Sequence, residues 1–79
     1  MKSSPKDTII IELDGVLNEF SGDFHEKYIP PAKPNVKEFL QNLSKVNRIE
    51  ISTKRDIKKA KRWLIKNGLY KFVSDIINE

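Results

Sequence analysis

Three isoleucines in a row, Ile9-Ile10-Ile11, stand between Thr8 and Glu12-Leu13-Asp14-Gly15 and constrain this chain more than any other feature. Successive β-branched residues favour an extended backbone, and Asp14-Gly15 ends the run with turn chemistry. The near-continuous apolar character predicts a strand over 8–13 buried on both faces, as in parallel sheets. Parallel strands need crossover connections, usually helical, and the rest of the chain supplies them. Asn35 followed by Glu38 has the capping-box pattern of a helix start. Val36, Phe39, Leu40, Leu43 and Val46 then fall on one helical face, which predicts a helix over 35–46. Arg48-Ile49-Glu50-Ile51-Ser52 alternates polar and apolar, predicting a second strand with one face less buried. Thr53, with Asp56 three residues on, caps a second helix that turns Ile57, Ala60, Trp63 and Leu64 inward. That helix stops at Asn67-Gly68, where Gly68 takes the left-handed position and Leu69 packs back. Residues 72–77 read as a third strand. The expected fold class is α/β: a three-stranded parallel sheet with right-handed crossovers, both helices on one face, and a long loop over 15–34 after the first strand.

Composition sets the outer limits. At 79 residues the chain is one domain, 1–79, with residues 1–7 as a loose polar arm. A domain this small buries only about 60% of the surface its unfolded chain exposes, so a lone monomer is marginal. The sequence has no cysteine, which excludes disulfides and thiolate metal sites, and its one histidine, His25, excludes a multi-histidine site. Ile, Leu, Val and Phe together number 24 of the 79 residues, enough for a core. No apolar run reaches membrane-spanning length and no signal peptide precedes the first strand, so a reducing cytoplasm is the expected location. The net charge of +4 is concentrated in Lys54, Arg55, Lys58, Lys59, Lys61, Arg62 and Lys66. Such a stretch is either the solvated back of an amphipathic helix or a weak nucleic-acid footprint.

Two constellations could carry chemistry. Glu12 and Asp14 close the first strand and, by strand alternation, point to the same side. Ligands of open α/β sheets bind at the carboxyl ends of the strands. Two carboxylates there can hold a hard cation such as Mg²⁺, or they merely cap a loop. Ser52-Thr53-Lys54-Arg55 ends the second strand and opens a helix, where a hydroxyl and free amides suit an anion or serve ordinary capping. In the loop, Phe20, Phe24, His25, Glu26, Lys27 and Tyr28 could line a substrate mouth, or the aromatics could plug the core.

Residues 9–17, Ile-Ile-Ile-Glu-Leu-Asp-Gly-Val-Leu, resemble the first motif of the haloacid dehalogenase superfamily, a hydrophobic strand followed by Asp-x-Asp-Gly-x-Leu or Thr. Residues 49–55, Ile-Glu-Ile-Ser-Thr-Lys-Arg, resemble its second motif in the Thr-x-Arg form found among small phosphatase-like members. Pro30-Pro31-Ala32-Lys33-Pro34-Asn35-Val36 is similar to the usual entry to the first helix. Trp63-Leu64 and Gly68-Leu69 match the run into the third strand. The resemblance covers residues 8–78 and implies a Rossmannoid phosphatase-like scaffold whose flap or cap is the loop 15–34. It also implies a division of labour. Glu12 stands at the nucleophile position, where the family has aspartate, and Asp14 at the acid/base position. Thr53, Arg55 and Gly15 fall at phosphate-binding positions, and Glu12 with Asp14 at the Mg²⁺ positions. The extra methylene of Glu12 shifts the nucleophile by more than about an ångström, a misplacement that can cost 10²-fold or more. A third-motif lysine and fourth-motif acids are not matched; neither Lys66 nor Lys71 fits. The fourth strand, which pairs with strand one in the family, is absent too.

The resulting expectation is a truncated haloacid dehalogenase-like domain, acting as a non-catalytic binding or assembly module. Mg²⁺ would bind weakly if at all. The alternatives are a Mg²⁺-dependent phosphatase or phosphotransferase completed by a second chain, and a basic protein weakly associated with nucleic acid. The expected partner is a second copy or a heteromeric chain at the strand-one edge, with stacking of the bare sheet face as another route to a dimer. A small phosphorylated ligand is possible chemistry for the site, and no membrane is expected.

Overall fold

The computed structural model of the protein describes residues 7–22, 25 and 27–79. The sheet has three strands, β1 (Asp7–Glu12), β2 (Asn47–Thr53) and β3 (Asp75–Asn78), parallel throughout and in the order β1-β2-β3. Helix α1 (Val36–Ser44) lies between β1 and β2 in the chain, and α2 (Ile57–Lys66) between β2 and β3. This is the expected α/β architecture. The arm expected at 1–7 lies outside the described residues apart from Asp7, which opens β1.

Register partners Ile9 and Ile49, and Ile11 and Ile51, put these four isoleucines on one face. Ile11, Ile49 and Ile51 are buried there in a single cluster with Val36 and Leu40 of α1 and Ala60, Trp63 and Leu64 of α2. Both helices therefore cover the same face. Leu13, Leu17 and Leu69 complete the cluster from the turns. Burial of each large aliphatic side chain stabilises the fold by roughly 1.5–3 kcal/mol relative to exposure.

The opposite face is open, which corrects the expectation that β1 is buried on both sides. Ile10 is 63% exposed, and Thr8 and Glu12 are exposed beside it. With Arg48, Glu50, Asp75 and Ile77 on the same side by register, the open face is mixed and mostly polar. Its composition gives two copies little apolar surface to stack.

Several boundaries depart from the sequence pattern for local reasons. Asn35 precedes α1 in a left-handed conformation (φ 66°), so its side chain makes no cap hydrogen bond and the capping box with Glu38 does not form. Phe39 sits at the rim of the apolar stripe and Val46 beyond the helix end, and both are exposed. Ile57, at the edge of the α2 stripe, is also exposed. The cap of α2 is Asp56, whose carboxylate accepts from Lys59 N at 3.2 Å, while Thr53 belongs to β2. The end of α2 is as expected. Gly68 is left-handed, Gly68 N donates to Ile65 O and Leu69 N to Leu64 O, and Leu69 is fully buried. The third strand is shorter than expected. Tyr70–Phe72 forms a 3₁₀ turn closed by Phe72 N to Leu69 O, and attachment to the sheet begins when Ser74 N donates to Ile49 O at 2.7 Å.

The loop after β1 is tied down at several points. Asn18 and Ala32 form an antiparallel bridge, flanked by Glu19 N to Pro31 O and Lys33 N to Leu17 O. The Trp63 indole donates to Pro30 O at 3.1 Å. Ile29 and Ala32 pack on the core, whereas Tyr28 is 58% exposed, so Tyr28 does not plug it. Phe24 and Glu26 lie outside the described residues.

Candidate functional site

The carboxyl ends of β1 and β2 open into a cleft of about 230 Å³ lined by Glu12, Asp14, Phe20, Ser52, Thr53, Lys54 and Glu79. Parallel pairing brings the two ends level, since Glu12 is the register partner of Ser52. The chain leaves β1 through an irregular turn, Leu13–Leu17, in which Asp14 remains extended and Gly15 takes φ 89°. A side chain at Gly15 would be strained in that conformation. Asn18, fully buried, holds the turn: its Oδ1 accepts from Gly15 N at 3.0 Å and Phe20 N at 3.2 Å, and its Nδ2 donates to Asp14 Oδ1 at 2.9 Å. Lys33 Nζ donates to Gly15 O at 2.7 Å.

Arg55 dominates the electrostatics. Its side chain is 1% exposed and meets the Asp14 carboxylate edge-on: Nε lies 3.1 Å from Oδ1 and 3.0 Å from Oδ2, and Nη2 lies 2.9 Å from Oδ1. Nη1 donates to His25 O at 2.6 Å. The guanidinium thus spends its fork on the turn after β1 and on the loop, a geometry suited to planar carboxylate recognition. Thr53, 2% exposed, accepts Arg55 N at 3.0 Å through Oγ1. Ser52 Oγ donates to Glu79 Oε2.

Of the residues singled out from the sequence, Glu12, Asp14 and Thr53 line one cleft. Arg55 and Gly15 are not among its lining residues; the Arg55 guanidinium donates to the Asp14 carboxylate and to the His25 carbonyl. Phe20 is the loop aromatic at the mouth. His25 contributes its carbonyl while its residue remains exposed. Asn18 and Glu79 carried no motif, and Lys33 stood only in the stretch resembling a helix entry, with no site role. An asparagine three residues after a turn glycine can cap that turn, and this is the signal that could have found Asn18.

The carboxylates do not fit a tightly held Mg²⁺. Arg55 and Asn18 already supply donors to both Asp14 oxygens. Glu12 is exposed, and its carboxylate carries no hydrogen bond or ion pair among the described residues. No group of three acidic, histidine or cysteine side chains among the described residues could hold a metal. Hard cations want six or more oxygen ligands. An incoming phosphate would meet Glu12 and Glu79, opposed by Lys54.

Comparison with protein-family models, with curated proteins and with solved structures finds no match for this chain. Among the described residues no helix is long and apolar enough to cross a membrane.

Proposed function

We propose that the chain is a non-catalytic binding or assembly module on a scaffold resembling the haloacid dehalogenase phosphatases. The observation that carries this reading is the Arg55–Asp14 pair. An acid/base must reach the proton it transfers, and a metal ligand must offer free lone pairs. Asp14 instead accepts at Oδ1 from Asn18 Nδ2, Arg55 Nε and Arg55 Nη2, and at Oδ2 shares the Arg55 Nε–H, so its carboxylate is turned into the fold. Glu12 is left as a lone, displaced carboxylate at the mouth.

The other reading, Mg²⁺-dependent phosphotransfer completed by a second chain, is favoured by the gathering of Glu12, Asp14 and Thr53 around one cleft. One experiment separates the two. With Mg²⁺ and an activated aryl phosphate, the purified chain should release no phenol above the buffer rate. A calorimetric titration should give Mg²⁺ affinity no tighter than millimolar. Turnover abolished by Glu12→Gln, a change at a side chain that makes no hydrogen bond or ion pair among the described residues, would establish the enzyme instead. So would micromolar Mg²⁺ binding lost in the same variant.

A further inference from the structure

β1 forms one edge of the sheet, and among the described residues its backbone bonds only to β2. The far edge, β3, is four residues long with Asp75 and Asn78 at its ends. Shortness and polar ends are how sheets blunt an edge. β1 has six residues and contains no proline, lysine or glycine, with three isoleucines at its centre. Among the described residues the outer N–H and C=O groups of β1 are unpaired, which makes a template for another strand.

We infer that β1 pairs antiparallel with β1 of a second copy, about a two-fold axis passing beside Ile10. This names the partner for the assembly reading above and rests on it. The register follows from the sequence of the strand, because residues directly opposite in an antiparallel pair share a face. With the axis at Ile10, Ile9 faces Ile11 of the second copy on the helix side, and Ile10 faces Ile10 on the open side. Every isoleucine then meets an isoleucine. An axis at Ile9 would set Ile11 against Asp7 and Ile10 against Thr8. Pairing Ile9 with Ile10 would oppose Asp7 to Glu12, two carboxylates, throw the helix layers onto opposite faces and leave the two copies without a two-fold axis.

Charge selects the same register. Thr8 is the register partner of Arg48 within one chain and faces Glu12 of the second copy across the axis. Arg48 and that Glu12 therefore lie on the same face, two strand spacings or roughly 9.5 Å apart. Both are exposed, and neither has an ion-pair partner among the described residues. Symmetry makes the pair twice. The product is a six-stranded sheet with all four helices on one side. A two-fold contact of this kind closes on itself and leaves only the short β3 edges outward.

Sedimentation of the full chain at tens of micromolar should show a dimer. Ile10→Lys, at an exposed position, should weaken association at least tenfold with the far-UV spectrum unchanged. Arg48→Glu and Glu12→Arg should each weaken it, and the double variant should recover most of the loss. The register has its own readout because the chain has no cysteine. Ile10→Cys should cross-link under copper-phenanthroline oxidation, since residues facing across the axis lie within disulfide reach. Thr8→Cys should not, because its two copies stand about 13 Å apart. A wild-type monomer at these concentrations would overturn the inference. So would a dimer indifferent to Ile10→Lys, or cross-linking at position 8 instead of 10. Phosphatase turnover would sink the non-catalytic reading without touching this result, and monomeric sedimentation would sink the dimer without creating an enzyme.

Discussion

A single arginine joins three parts of the chain that are far apart in sequence. Arg55 leaves the end of β2, meets Asp14 after β1, and reaches His25 O in the loop. Its side chain is 1% exposed and that of Asp14 16%, so the pair is largely withdrawn from water. Removing one partner of such a pair leaves a buried charge uncompensated. Asp14→Asn should therefore destabilise the fold by about 3 kcal/mol in urea denaturation. Arg55→Lys should be nearly as costly, because an ammonium lacks the planar fork that engages both Asp14 oxygens. A loss below about 1 kcal/mol for both would mean that the pair contributes little. The sequence showed that Asp14 and Arg55 stand at the same end of neighbouring strands. It did not show that they engage each other: a Thr-x-Arg at a strand end reads equally well as an anion site, and the partner lies 41 residues away. Asn18 was harder still, since its role exists only once the Gly15 turn has formed.

Helix ends separate pattern from mechanism at the level of elements. Asn35 and Glu38 have the spacing of a capping box, yet the left-handed backbone at Asn35 turns its side chain away from that role. Glu38→Ala should change stability by less than about 0.5 kcal/mol. Asp56 does cap α2, so Asp56→Ala should cost about 1 kcal/mol, measured in the same denaturation series. Equal losses at the two positions would contradict the assignment. The strands were legible from their β-branched residues, and α2 from its stripe and its Gly68 stop. The one-sided burial of β1 was not, because Ile10 is as apolar as its neighbours and hides the alternation. A strand looks buried on both faces when an exposed isoleucine sits where a polar residue would mark the solvent side.

For the molecule as a whole, small size and an unprotected edge act together. If dimerisation supplies part of the stability, mass action makes the melting temperature depend on concentration. Each tenfold rise in protein should lift Tm by about 4 °C, and a Tm independent of concentration would mean that the folded monomer stands alone. Charge is equally uneven at this scale. Lys54, Lys58, Lys59, Lys61, Arg62 and Lys66 are all exposed on or just before α2. A phosphate-only contact of that kind should be sequence-blind and collapse between low and physiological salt. Fluorescence anisotropy with two unrelated duplexes, titrated with salt, measures both properties. Sequence-selective binding that persists in salt would assign α2 a recognition role.

The Trp63 hydrogen bond to Pro30 O also makes the chain its own optical probe. It is the sequence's sole tryptophan, 8% exposed, and it sits on the seam where the loop meets α2. Indole emission moves to longer wavelength as the ring meets water, so the colour of the protein's light reports whether that seam is closed. The loop is held by a few separate bonds, whereas the sheet and helices share one core, and weakly held segments open at lower free energy than the core. In rising urea the emission should redden before the far-UV dichroism falls, resolving release of the loop from collapse of the sheet without any attached label.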